Sequence, residues 1–361
     1  MASAIATLSG IYRQRAAVSP QGLPIIGITS NTVPWELLRA GGFQPFLVSP
    51  RKIATPLADR YMEDVFSPRI KTAFDFLVSG EAAVLTAVVI PRTSEQEHKL
   101  YLYLREVMRQ GVERCAQPIL YNLLHSRSAE AQAYGLERTR ELKTQLEQMS
   151  GRSIDTEALL SAIEESNAAR DTIRSLLEMR EGPSPKLSGS EALALIGAWY
   201  FMDRAEYTRL AREALREIEA RAPLAGPRIL IKGTPQDGED FCAAIESYSA
   251  VVVAEDDWWG SRAAGRNIEV NEDPLQAIFE KYYFDAPSPR VFPSAVSEQW
   301  FQRKACEIDG VIFYLPPDDD IFGWDYPRLR DFLDERGIPH LMVRKPCNEP
   351  IRAFIERLHH A

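Results

Sequence analysis

The sequence predicts an α/β protein: two doubly wound, flavodoxin- or Rossmann-like parallel-sheet domains joined by a helical segment. Two observations carry this. Short apolar runs alternate with helix-length amphipathic runs in the first third of the chain and again in the last third, the order expected of βα units in a parallel sheet. Between them, from about 126 to 222, the chain turns charged and helix-periodic. The length of 361 residues also suits two or three domains of roughly 100–200 residues each. The expected division is a helical or extended N-terminal segment over 1–21, an α/β domain over 22–125, a helical segment over 126–224 and a second α/β domain over 225–361.

Taken in order, PIIGIT (24–29) is the first strand. VPWELLRAGG follows as a helix closed by glycines. FQPFLVS is the second strand, and AAVLTAVVIP (82–91) the third, apolar almost throughout, as a parallel strand covered on both faces should be. Residues 95–110 form a helix and QPILYNL a further strand. In the middle, SRSAEAQAYGLERTRELKTQLEQMSG reads as a charged helix. SIDTEALLSAIEESNAARDTIRSLLEMR carries Leu159, Leu160, Ile163, Ile173, Leu176 and Leu177 at helical spacing, with Ser153 or Asp155 as the cap. EGPSPKLSG breaks the run, and SEALALIGAWYFMDRAEYTRLAREALREIEAR adds one or two more helices. Trp199, Tyr200 and Phe201 read as core.

After the break at APLAGP, PRILIKG is a strand followed by a helix through Ile245. YSAVVVAEDD is a strand, and DPLQAIFEKYYF and AVSEQWFQRKACEID are helices. DGVIFYLP, YPRLRDFLDERG, IPHLMV and NEPIRAFIERLHH complete a strand–helix–strand–helix ending. The two halves are not visible repeats in sequence, but their plans are alike.

Composition narrows the function classes. With 42 basic and 51 acidic side chains the net charge is −9, against a nucleic-acid binder with its basic stripe and against a polybasic membrane anchor. No run approaches the roughly 18 apolar residues of a membrane helix. MASAIATLSGIYRQRA lacks a basic lead and a long apolar run, so a cytoplasmic protein is expected rather than a secreted one. Cys115, Cys242, Cys306 and Cys347 are far apart and form no C-x-x-C pair, which excludes a zinc ribbon or a local redox motif. Cys242 and Cys306 fall in amphipathic helical patterns and read as small buried hydrophobes. No Ser-His-Asp or Cys-His arrangement is readable. His98, His125, His340, His359 and His360 read as surface or packing residues. KGTPQDGED is a turn and matches neither G-x-G-x-x-G nor a P-loop.

Open α/β sheets bind ligands beyond the carboxyl ends of their strands. Four strand ends here carry polar clusters: Thr29-Ser30-Asn31-Thr32, Arg92-Thr93-Ser94-Glu95, Glu255 through Arg262 with Asp257 and Trp258, and Asp318-Asp319-Asp320. Each alone reads equally as a solvated turn or as part of a site; together they are expected to form one site. The indoles of Trp258 and Trp259 suit either stacking on a ligand ring or packing at a domain seam.

At this point the residues resemble a known family. SNTVPWELLRAGG is similar to the N-terminal motif of the 2-hydroxyacyl-CoA dehydratase / benzoyl-CoA reductase family, matching at Val33, Pro34, Glu36, Leu37 and Gly41. VVIPRTSEQEHKL resembles its P-x-T-C-D segment, and DGVIFYLPPDDDIFGWDYPRLRDFLDERGIPHLMV its D-G-V-I to G-I-P-x-L stretch. Further matches keep the same order nearly end to end. The resemblance implies a subunit of an ATP-activated radical acyl-CoA enzyme, with an acyl-CoA substrate, a homologous partner subunit and an ATP-dependent activator protein. It also implies a [4Fe–4S] cluster on three cysteines, but Ser30, Ser94 and, at or near the third position, Asp319 stand there instead. Hard oxygens are poor ligands for such a cluster, so the cluster is expected on a cysteine-bearing partner and none in this chain. In that setting Ser30, Ser94, Asp319 and Glu36 are the candidate catalytic residues. Arg92, Asp257, Trp258, Arg262 and Arg290 (in Pro287-Ser288-Pro289-Arg290) are the candidate contacts to CoA or to the partner. Glu36 reads equally as a first-turn carboxylate stabilised by its helix. Two other readings stay open: a cluster-less enzyme acting on acyl-CoA without redox, its oxygens available to a hard cation, or a non-catalytic scaffold subunit.

Overall fold

The computed structural model describes residues 3–16, 22–50, 54–111, 113–124, 126–285, 295–317, 319, 321–345 and 348–360. Two four-stranded sheets, parallel throughout, organise it. The first contains β1 (Ile25–Ile28), β2 (Gln44–Leu47), β3 (Leu85–Pro91) and β4 (Gln117–Tyr121), in the spatial order β2-β1-β3-β4. The second contains β5 (Arg228–Gly233), β6 (Val251–Glu255), β7 (Gly310–Tyr314) and β8 (His340–Val343), in the order β6-β5-β7-β8. The two sheets therefore share one winding, with the strand order reversing between the first and third strand of each. Crevices form at such reversals.

Apolar strands become parallel ones because helices cover both faces. β1, β2 and β6 are buried at every position, and β3 at all but Thr86. The third apolar run is split: Glu81–Val84 makes a 3₁₀ turn and only Leu85 onward pairs, because the earlier residues precede the register with β1 that begins at Ile25 and Leu85. Cys242 is buried, as its pattern implied. Cys306 is exposed, because α12 (Ala295–Ala305) ends one residue before it. Cys347 and His125 lie outside the described residues.

The middle of the chain supplies α6 (Ala129–Ser150), α7 (Thr156–Glu181), α8 (Gly189–Gly197) and α9 (Arg204–Glu219). Asp155 caps α7, accepting from the Ala158 N–H at 2.9 Å. α7 packs against α9, α8 and α2 (Trp35–Ala40), and at its far end against β6, so it touches both sheet units. The connection after β6 also crosses back: α11 (Pro274–Phe284) packs on α6, α7 and α2, and Trp258 and Trp259 join the core around the first sheet. Trp199, Tyr200 and Phe201 are buried in that same core. The N-terminal helix α1 (Ala4–Gln14) lies on α8 and α9. Among the described residues, no helix is long and apolar enough to cross a membrane.

Candidate active-site cleft

The carboxyl ends of the two sheets meet across a cleft of about 600 Å³. From the first sheet unit it is lined by Ser30 after β1, by Thr93 and Ser94 after β3, by Gln96 and Glu97 in the first turn of α5 (Glu95–Gln110), and by Arg69 in the first turn of α4 (Pro68–Val78). From the second it is lined by Thr234 and Gln236 after β5, Asp256, Asp257, Trp258 and Arg262 after β6, and Asp319 and Phe322 after β7. Each described strand-end cluster thus reaches one cavity, with Ser30, Ser94, Asp319, Asp257, Trp258 and Arg262 on its walls. Asp318, Asp320 and Arg290 lie outside the described residues.

The polar side chains on these walls have local tasks. Ser94 caps α5: its Oγ accepts from the Glu97 N–H at 3.1 Å. Ser30 Oγ accepts from the Thr32 N–H at 3.2 Å and lies 3.1 Å from the Thr32 hydroxyl. Asp319 accepts from the N–H groups of Phe322 (3.0 Å) and Gly323 (2.6 Å) and from the Thr234 hydroxyl (3.3 Å), tying the β7 loop to the end of β5. Asp257 accepts from the N–H groups of Trp259 (2.9 Å), Gly260 (3.1 Å) and Gln236 (3.2 Å). Burial and the nearby Glu255 carboxylate push the Asp257 acid up to about 7 against these donors. Asp256 pairs with Lys232 and, at 3.2 Å, with Arg262. Gly260 is required where it stands: a Cβ there would fall 1.1 Å from Glu255 Oε1.

Trp258 and Trp259 stack on each other at 4.6 Å between ring centres, with Tyr200 edge-on to both. Both indoles are buried and border the cleft, Trp259 the more deeply, with the Arg69 guanidinium 5.4 Å from the Trp258 ring centre.

Two candidates stand away from the cleft. Arg92 pairs with Glu95 at 3.6 Å, and its N–H bonds the Tyr121 carbonyl at 3.3 Å, at the outer end of β3. Glu36 is fully buried on α2. Its Oε1 takes Arg170 at 2.5 Å, Arg204 at 3.3 Å and the Ser166 hydroxyl, and its Oε2 takes the Tyr282 hydroxyl at 2.8 Å. Burial opposes its ionisation, but the two guanidiniums and Ser166 outweigh it and hold the acid at about 2. This carboxylate cross-links α2, α7, α9 and α11 and is not among the residues that line the cleft.

Sequence reasoning missed Glu97 and Arg69. Glu97 is buried: the Thr93 hydroxyl donates to Oε2, and the nearest cation, Arg69, stands 3.7 Å from Oε1. Burial pushes this acid up to about 7, against the pull of Arg69 and of hydrogen-bonding groups on Thr93 and Ser94. One signal was available: Ser94-Glu95-Gln96-Glu97 has the S-x-x-E spacing of a capping box, which places a glutamate at the base of a helix that opens on a strand end. Arg69 was not singled out, because no element was assigned to the stretch that holds it, although Ser67-Pro68 is a helix-start pattern.

Comparison with known proteins gives the class. Residues 31–358 match the family described as 2-hydroxyglutaryl-CoA dehydratase, D-component, and the chain belongs to that family. Among its relatives is the (R)-phenyllactyl-CoA dehydratase beta subunit of Clostridium sporogenes, 24% identical, with 93% of this chain and 92% of that one aligned. Another is the (R)-2-hydroxyglutaryl-CoA dehydratase, subunit beta, of Acidaminococcus fermentans, 21% identical over 91% of this chain and 88% of that one. A third is the putative dehydratase subunit YjiM of Escherichia coli, 25% identical over 73% of this chain and 70% of that one.

A four-iron cluster does not fit the residues at hand. Of the three positions that the resemblance assigns to cysteine, two carry Ser30 and Ser94 and the third falls at or near Asp319; the oxygens of these three side chains are engaged in turns and caps. None of Cys115, Cys242 and Cys306 lines the cleft. Among the described residues no group of three or more His, Cys, Asp or Glu side chains is arranged to hold a metal ion.

Proposed function

We propose that this chain is the cluster-less subunit of a 2-hydroxyacyl-CoA dehydratase-type enzyme, paired with a homologous cysteine-bearing subunit that holds the [4Fe–4S] cluster and takes its electron from an ATP-dependent activator protein. The observation that carries this is the cleft itself. Among the described residues, the strand ends at both switch points line one cleft, and the resemblance implies cysteine where Ser30, Ser94 and, at or near the third position, Asp319 stand. Hard oxygens that make local caps stand there, not a soft-ligand site. The relatives named as beta subunits support the role of one subunit among several. The acyl-CoA is the substrate of the assembly, and Arg262 on the cleft wall supplies a guanidinium suited to its phosphates. Arg92 and Arg290 remain proposed contacts to CoA or the partner.

The test is iron and acid-labile sulfide analysis under anaerobic conditions. The chain produced alone is expected to contain neither, and the chain co-produced with a cysteine-bearing homologue from its own host is expected to carry one cluster per partner. Stoichiometric iron in the chain alone would overturn the proposal.

A further inference from the structure

Glu97 Oε1 stands out on chemical grounds. Among the described residues it is the only buried carboxylate oxygen that accepts no hydrogen bond. The other buried acids of the cleft are engaged: Asp256 by Lys232 and Arg262, Asp257 by three N–H groups. A buried acceptor left open costs free energy, so it is kept where something else uses it. Its neighbour Arg69 donates to the Thr29 carbonyl, leans over Trp258 and is still 40% exposed. It therefore holds a cation at the cleft wall beside the open oxygen. Together they present a carboxylate and a guanidinium 3.7 Å apart at the reversal point of the first sheet, where a ligand would be bound.

We propose that Glu97 and Arg69 form an acid–base pair that exchanges the proton on the carbon next to the carbonyl of an acyl thioester bound in this cleft. The choice of thioester rests on the acyl-CoA reading above. In the step, the carbonyl oxygen meets the Arg69 guanidinium, which draws that side chain off Glu97 and opens Oε1. The C2–H bond breaks and an O–H bond forms on Oε1. The electron pair moves onto the carbonyl oxygen as an enolate, held by Arg69. The reverse step returns a proton from Oε1 to C2, so no oxidant or reductant is consumed. An acid held near neutrality suits both directions, since it is neither locked charged nor locked neutral at cellular pH. Burial gives the pair its force, because charge interactions strengthen where water is excluded.

The probe is butyryl-CoA, which has no hydroxyl to lose, incubated in D₂O with the complex purified from its own host. Deuterium at C2 is read by mass spectrometry and butyryl-CoA binding by calorimetry. Wild-type complex is expected to exchange C2. Glu97→Gln is expected to slow exchange roughly 100-fold while binding persists. Arg69→Gln, at a half-exposed position that folding tolerates, is expected to slow it by a comparable factor. Binding without exchange in the wild type would overturn the acid–base pair alone, as would a Glu97→Gln complex that binds and exchanges at the wild-type rate. Failure to bind butyryl-CoA would overturn the thioester as ligand and the pair with it. The subunit reading stands or falls separately, on iron and partner mass.

Discussion

Two buried glutamates, Glu36 and Glu97, have opposite acidities, and the difference follows from their neighbours. Glu36 has two guanidiniums within 3.3 Å; Glu97 has one at 3.7 Å and an oxygen with no donor. Glu36 is held at about 2, below its unfolded value of about 4.5, so its contribution to stability is full above about 4.5 and is lost as pH falls towards 2. Glu36→Gln strands Arg170 and Arg204 in the core and is expected to cost roughly 3–5 kcal/mol in urea unfolding at pH 7. Its excess over wild type should shrink as the pH of the measurement is lowered through that window. Glu97 behaves in reverse. Its acid is raised to about 7, so between about 4.5 and 7 the folded state holds a proton that the unfolded chain has lost, and stability declines as pH rises. Glu97→Gln removes that decline. The melting temperature of the variant relative to wild type is expected to be higher at pH 8 than at pH 5. Asp257, raised to a similar value, titrates in both proteins and cancels in the difference. An equal difference at both pH values would show that Glu97 ionises normally.

At the scale of elements, α1 acts as a strap between the sheet units. Arg15, which ends it, is buried against Tyr12, Phe201 and Trp259 and bonds the carbonyl and hydroxyl of Ser49 (both 2.9 Å) after β2 and the Asp237 carboxylate (3.0 Å) after β5. Tyr12 adds a bond to the Asp237 carbonyl at 2.6 Å. Asp237 lines the cleft, so the strap fixes one of its walls. Arg15→Ala is expected to cost about 2 kcal/mol, the scale of charge-assisted bonds, and to speed amide exchange across 234–240. Unchanged exchange there would show that the strap is incidental. The sequence showed the strands and long helices plainly, because β1, β3, β6 and α7 are apolar with the period of their structure. α3 (Pro56–Tyr61) spans only six residues, and α4, although Pro68 opens it and Ile70, Ala73, Phe74 and Leu77 follow at helical spacing, was not read as an element, so Arg69 was not placed. Nor could the sequence show that Glu36 meets Arg170 and Arg204: those contacts span 134 and 168 residues and depend on how α2 packs against α7 and α9.

At the scale of the whole molecule, two sheets of one winding face each other through their switch points, and α7 braces them. Arg170 on this helix reaches Glu36 in the first unit; Arg180, further along, reaches Glu255 in the second at 2.5 Å. Neither pair touches Ser30, Ser94 or Asp319, so the brace between the units is built apart from the strand-end residues of the cleft. The convergence of the strand ends on one cleft was legible because parallel sheets place their functional loops at one end. The occupants of that cleft were not, since serine and aspartate at strand ends look the same in sequence whether they cap a turn or meet a substrate. On the proposed function, this chain holds no cluster and works beside a cysteine-bearing chain that does. Anaerobic native mass spectrometry of the tagged chain purified from its own host tests this most directly. The expected result is a heteromer whose mass includes one four-iron cluster for each cysteine-bearing partner. A homomer without iron, or iron that stays with the isolated chain, would contradict it.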